Sequence, residues 1–365
     1  MKNIYIIIFS FLVFSGCKKE GPVEVPAPPK ENTNKTVDTL YIGGNFTITG
    51  DSVVNNIAKW DGKNWYPLGT GVTGKGVDVE CMAFYAGELY VGGFIDYAGG
   101  RQASNIARWD GKQWYSVGTG IDGRVTSLIV FNNELYAGGW FDNADGKPAA
   151  NIAKWNGISW SPVGQGMNDE VYTLAIYKNA LYAGGWFLSP GSKIAKWDGV
   201  KWDTVVSNIG PEHPDGSGYI MNLTVVNDDL YAMGNFLMCN GFQANNIAEW
   251  DGSTWSPVDA GIKEPYVYCG ASFNNQLNVG GDFDTAGTIN SKYYTVRNGT
   301  NWISGNVYMN GSPNKLYTFN NKLYFGGSFK TANGTQVNGI CIWDGAKVQA
   351  LGKGVNGYVS SILVH

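Results

Sequence analysis

The chain has 365 residues, with 26 basic against 30 acidic side chains and a formal net charge of -4. That near-neutral balance excludes nucleic acid as a partner, which selects a basic face, and two histidines, His213 and His365, leave no multi-histidine metal centre. Only 15% of residues are charged while 14% are aromatic and 51 are glycine, a mixture that suits a large all-β domain with many tight turns.

The first element is a targeting segment. In "MKNIYIIIFSFLVFSGC", Lys2 supplies the positive start and Ile4–Phe14 form an apolar run too short to span a bilayer. Its ending, "FSGC", resembles a bacterial lipoprotein signal. The resemblance implies cleavage after residue 16, lipidation of Cys17 and residence in the bacterial cell envelope as an outer-membrane lipoprotein. Phe14 departs from the small or aliphatic residue usual at its position. Residues 17–36, "CKKEGPVEVPAPPKENTNKT", carry too much proline and charge to pack and read as a tether. The expected attachment to a membrane is therefore through lipid alone.

From residue 37 onward the chain repeats. "LYIGGNF" at Leu40 returns as "LYVGGFI", "LYAGGWF", "LYAGGWF", "LYAMGNF", "LNVGGDF" and "LYFGGSF" at Leu89, Leu135, Leu181, Leu230, Leu277 and Leu323. The spacings are 49, 46, 46, 49, 47 and 46 residues, a period that signals a solenoid, a propeller or an array. One unit shows the elements. "VTSLIVF" (125–131) is a short β-branched strand, "NNE" turns the chain, and "LYAGGWF" is a second strand. "DNADGKPAA" reads as a loop, "NIAKW" (151–155) as a third strand, and "WSPVG" from Trp160 as a fourth. Four short antiparallel strands make one propeller blade, so residues 37–365 are expected to form a seven-bladed β-propeller. The chain ends on "VSSILVH" (359–365), a copy of a first strand, and the first unit lacks one. The C-terminal strand is thus expected to pair with the N-terminal blade and close the ring, which removes sheet edges.

A double glycine after an apolar strand, an aromatic strand end and a tryptophan soon after resemble kelch repeats and the galactose-oxidase-type propeller. The phrasing "LYxGGxF…NIAxWDGxxW" is closer still to repeats of secreted bacterial proteins and of the fungal cortical cell-polarity marker. The resemblance implies a fold and little more, because propellers host enzymes, binders and scaffolds alike. The copper ligands and cross-linked Tyr–Cys pair of galactose oxidase have no counterpart here, so that activity is not implied.

Repeats separate scaffold from site: a side chain present in every blade serves the blade. Trp60, Trp109, Trp155, Trp197, Trp250 and Trp343 end third strands, and Trp65, Trp114, Trp160, Trp202, Trp255 and Trp302 begin fourth strands, so twelve of fourteen tryptophans read as packing between blades. The "WDG" carboxylates exchange with asparagine at Asn156 and Asn298, which fits a turn cap and not an acid catalyst. Trp140 and Trp186 stand apart. Their equivalents are Asn45, Phe94, Asn235, Asp282 and Ser328, so the blade itself needs no indole there.

Phe94, Trp140 and Trp186 form an expected aromatic arc over three successive blades. Beside it the loop after the fourth blade's second strand shrinks to "LSPGSK", while the following inter-blade loop grows to "SNIGPEHPDGSG" with His213 and Asp215. A groove results in which indoles stack on sugar rings while Asn143, Asp145 and Asn168 add hydrogen bonds. The opposing reading is that the rings plug the space under loops. A second ring of candidates, Cys81, Ser127, Thr173, Asn222, Cys269, Lys315 and Ser361, is expected to line a solvent-filled axial channel. Cys81, Cys239, Cys269 and Cys341 fall at scattered blade positions and read mainly as buried free thiols.

No nucleophile elbow or phosphate-cradling loop occurs, and neither cofactor nor metal is expected. The leading reading is a lipid-anchored, non-catalytic propeller that binds a glycan or a protein partner. One alternative is a polysaccharide-active enzyme, glycoside hydrolase or lyase, using funnel carboxylates such as Asp282, Glu80, Asp169 or Glu170. The other is a structural adhesin.

Overall fold

The computed structural model describes residues 38–210, 218–264 and 266–365; the signal segment, Cys17, the tether, His213 and Asp215 lie outside them. The described residues contain no helix. They form seven four-stranded antiparallel sheets, and the fold is a β-propeller. Six sheets take their strands in chain order, as in the third: Arg124–Phe131, Glu134–Trp140, Ile152–Trp155 and Trp160–Pro162. The remaining sheet takes its first strand, Tyr358–Val364, from the end of the chain and sets it beside Leu40–Asn45. Main-chain hydrogen bonds between Thr39 and His365 extend that pairing by one more residue.

The double glycines answer to two different neighbours. The second lies over a β-bulge in its own sheet: a Cβ on Gly93, Gly139 or Gly185 would overlap the carbonyl oxygen of Asp78, Arg124 or Glu170. The first faces the next sheet. A Cβ on Gly43 would stand 2.5 Å from Val79 Cγ1, on Gly92 2.7 Å from Val125 Cγ1, on Gly138 2.6 Å from Val171 Cγ1 and on Gly326 2.7 Å from Val359 Cγ1. These approaches bring β-branched side chains of each first strand onto bare backbone, so the sheets pack face to face. One core cluster joins the two ends of the chain, with Leu40, Ile42 and Phe46 packed among Tyr324, Ile340, Val359 and Ile362.

The tryptophans pair within one hairpin and bond to another blade. Trp60 opposes Trp65 and Trp109 opposes Trp114, with ring centroids 5.0 and 5.3 Å apart. Five of the six fourth-strand indoles then donate to backbone of another sheet, among them Trp114 Nε1 to Leu68 O at 2.7 Å and Trp160 Nε1 to Val117 O at 3.1 Å, whereas Trp302 Nε1 is buried without a hydrogen-bond partner. Trp65 Nε1 donates to Leu351 O at 2.9 Å, a bond between the two ends of the described chain. The "WDG" acids cap their turns as expected: Asp61 Oδ1 accepts from the amides of Lys63 and Asn64, and Gly62 takes a φ of 96°. Those bonds hold the Asp61 carboxyl below its ordinary range.

The segment read as a plain loop after the second strand corrects that expectation. It forms a small hairpin, Asn143–Ala144 with Lys147–Pro148 in the third blade, and five other blades have an equivalent. The fourth blade, whose loop is short, has none. Short strands without alternation carry no periodic signal, which is why the hairpins escape a pattern search.

Candidate functional site

In each blade the start of the first strand and the end of the second lie side by side. Asp78 opposes Phe94, Arg124 opposes Trp140, Tyr219 opposes Asn235 and Tyr266 opposes Asp282. The amide of Trp186 donates to Glu170 O at 2.9 Å. The aromatic arc and the first-strand starts therefore share one mouth. Phe94, Trp140 and Trp186 are 47%, 62% and 42% exposed.

Below the mouth is a cavity of about 590 Å³, lined by first-strand residues from all seven sheets. The expected axial positions, Cys81, Ser127, Thr173, Asn222, Cys269, Lys315 and Ser361, all line it. So do residues the sequence reading passed over: Asp78, Arg124, Tyr172, Tyr219, Tyr268, Tyr358 and Ser360. The bulge explains the omission. It falls between Val79 and Cys81, and between the equivalent pairs elsewhere, so strict alternation of inward and outward residues fails there. The available signal was variability, since the bulge position reads Glu80, Thr126, Tyr172, Met221, Tyr268, Asn314 and Ser360 through the blades.

Charged side chains from several sheets, Asp78, Glu80, Arg124 and Lys315, line this cavity. Arg124 Nε donates to Glu80 Oε1 at 2.6 Å, and the Tyr172 hydroxyl donates to Glu170. Tyr358 Oη and Ser360 Oγ donate to Asp78 Oδ2 at 3.1 and 3.2 Å, while Asp78 Oδ1 is buried without a hydrogen-bond partner. Burial raises the carboxyls of both Asp78 and Glu80 above their ordinary range, and the hydrogen bonds and Arg124 offset only part of this. An aromatic series leads from the rim inward: Trp186 lies 6.0 Å from Tyr219, which lies 5.8 Å from Tyr172.

The raised Asp78 sets a pH dependence. A carboxyl raised on folding binds more protons in the native state, so its contribution to stability falls as pH rises from the unfolded value, about 4, through the folded one. Asp78→Asn is accordingly expected to raise the melting midpoint at pH 7.5 by roughly 2 °C and to leave it unchanged near pH 3. A thermal melt at both pH values checks this; an equal shift at both would place the effect in packing and not in charge.

Three polar candidates hydrogen-bond to loops. Asn168 Oδ1 accepts from the amides of Leu188 and Ser189, both at 2.8 Å. Asp122, Asn310 and Asn356 make the same pair of bonds in other blades. Asp145 Oδ1 accepts from Thr119 N at 2.6 Å, as Asn333 Oδ1 accepts from Tyr308 N. Asn143 Nδ2 donates to Asp122 Oδ2 at 2.7 Å. These side chains, expected to hydrogen-bond a sugar, make their hydrogen bonds to neighbouring loops. Among the enzyme candidates, Glu80 lines the cavity, whereas Asp169 and Asp282 are exposed.

In the fourth blade Lys193 occupies the place of the loop-holding asparagines Asn56, Asn105 and Asn151. Its Nζ donates to Trp186 O at 2.7 Å, and burial lowers its pKa. The blade with the shortest loop thus holds its main chain at Trp186 through a lysine. Cys81, Cys239, Cys269 and Cys341 are buried and unpaired; burial pushes the Cys239 and Cys269 thiols up to about 12.

No protein-family model and no curated protein sequence matches the chain. Among solved structures it is similar to the computationally designed Ika8 protein, at 14% identity and a TM-score of 0.47 over 79% of this chain and 91% of that one. YjhT aligns at 15% identity and a TM-score of 0.43 over 76% and 99%. The WD40 β-propeller domain of Doa1 aligns at 14% identity and a TM-score of 0.45 over 77% and 85%.

Proposed function

We propose that this chain is a closed seven-bladed propeller, held to the bacterial outer membrane by lipid on Cys17, that binds a glycan without transforming it. The observation that carries the ligand class is the exposed arc of Phe94, Trp140 and Trp186 above an axial cavity. A solvated indole is an unfavourable surface to maintain, and a sugar ring offers it an apolar face while the rim keeps its hydroxyls wet. Closure into a ring is supported by the pairing of Tyr358–Val364 with Leu40–Asn45 and by the shared core of the two chain ends.

The test is affinity electrophoresis of the domain against a panel of polysaccharides. Retardation by one of them is expected, with a loss of about tenfold in affinity for Trp140→Ala/Trp186→Ala and an unchanged melting midpoint. Full retardation of the double variant would move the site away from the arc. A parent retarded by nothing would sink the glycan reading and turn the search to a protein partner.

One observation favours a second reading. Glu80 is a carboxyl with a raised pKa in a cavity that also holds Asp78, and polysaccharide hydrolysis needs a carboxylic acid that stays protonated. Reducing ends released from a retarding polysaccharide would select the enzyme over the binder.

A further inference from the structure

We infer that the axial cavity takes the end of a glycan chain, with the aromatic arc holding the residues that follow; this rests on the glycan reading above. First strands from all seven sheets wall the cavity, so a polymer can enter it only by a terminus. A polymer lying across the face would meet Phe94, Trp140 and Trp186 and stop there.

The polar groups stand at the starts of the first strands, where Asp78 opposes Phe94 and Arg124 opposes Trp140, and so ring the entrance of the cavity beside the arc. They are the Arg124–Glu80 ion pair, the Tyr172–Glu170 hydrogen bond and the Asp78 carboxylate with its buried, unpartnered Oδ1. At a rise of about 3.3 Å per residue, the wall continues roughly 7–10 Å from Asp78 down to Cys81. Burying two carboxylates beside one half-exposed guanidinium costs stability, and donors on a ligand would offset that cost. Neighbouring donors and acceptors of this kind suit the free vicinal hydroxyls of a terminal sugar, more of which are unsubstituted than in the chain interior. Trp186, Tyr219 and Tyr172, in contact in that order, give the chain a continuous aromatic path from rim to wall. The cavity volume, about 590 Å³, falls within the range of small-ligand sites and not of a polymer groove.

Asn314→Tyr offers a clean obstruction. Asn314 occupies the bulge position at which two other blades already carry Tyr172 and Tyr268, so the backbone accommodates a ring there, and the new ring would narrow the cavity without touching the arc. The experiment is calorimetric titration of the domain with whichever polysaccharide retards it, as intact polymer and after partial hydrolysis to short linear oligomers, compared at equal mass. Binding sites per gram are expected to rise in proportion to the number of chain ends, and Asn314→Tyr to weaken the oligomers about tenfold or more. If sites per gram stay constant on hydrolysis and Asn314→Tyr binds as well as the parent, the chain binds by its middle on the rim. The inference then falls while the glycan reading stands. Absence of binding to every polymer and every oligomer would remove both.

Discussion

Removal of residues 358–365 is expected to abolish the fold of the whole domain, yielding protein that aggregates or melts without a cooperative transition. The segment supplies one strand of one sheet, yet its loss reaches further than a strand's own contacts. Val359 and Ile362 lie in one core cluster with Leu40, Ile42, Tyr324 and Ile340, and Val359 presses on Gly326. Ser361 Oγ donates to Val79 O of the second blade at 2.7 Å. Without the strand, Leu40–Asn45 becomes an open edge with an apolar face, a template for pairing with other chains. The deletion can fail for reasons unrelated to closure, so a permuted chain serves as control. His365 already bonds Thr39, and in the third blade a two-residue Asn132–Asn133 turn with φ of 49° and 60° joins the same two strands. Placing residues 358–365 before Thr39 through an Asn-Asn turn should restore the parent melting midpoint. A truncated protein that stays folded and monomeric would show that the ring is not closed by this strand.

Gly270→Leu is the second change expected to be severe. In five of the other six blades the equivalent residue is Leu or Ile: Leu128, Leu174, Leu223, Leu316 and Ile362, with Met82 in the sixth. The sixth blade has glycine there because Met233, standing where other blades have the first glycine of the pair, sends its Sδ and Cε into that volume. Thr224 Cγ2 closes the space from another side, 3.1 Å from the position of a Cβ on Gly270. A leucine added to this site overpacks it by a whole side chain, with an expected cost of about 3 kcal/mol or more. Met233→Gly alone opens a cavity and costs about 2–5 kcal/mol. The two together recreate the arrangement of the other blades, so the double variant is expected to be more stable than either single one, with a coupling of about 3 kcal/mol. Denaturant melts of the four proteins measure it. Additive losses would mean that the two residues do not share one volume.

That exchange also marks what could be read in advance. The "LYAMGNF" copy was visible as a departure from "LYxGGxF", but nothing in the period says that its partner is a glycine 37 residues later on another blade. The repeat, the four strands of each unit, the turn-capping role of Asp61 and its equivalents, and the position of Phe94, Trp140 and Trp186 on one mouth were all legible, because each follows from local spacing and from comparison among seven copies. The same comparison, applied to loops, would have placed Asn168 with Asn310 and Asn356 as a brace. Their alignment depends on loops of unequal length, and only the shared pair of amide bonds shows the equivalence.

By itself the sequence determined the architecture of the unit, its number of copies and the strand that the first copy lacks. These depend on periodic burial and turn chemistry, which act over a few residues. The tertiary structure decided the contents of the axial cavity. A single bulge per first strand turns Glu80, Tyr172, Tyr268 and Ser360 inward beside the residues that alternation predicts. It also decided that the carboxyls of Asp78 and Glu80 are raised, since desolvation is a property of everything packed around a carboxyl, here including a strand whose Ser360 lies 282 residues from Asp78 in the chain.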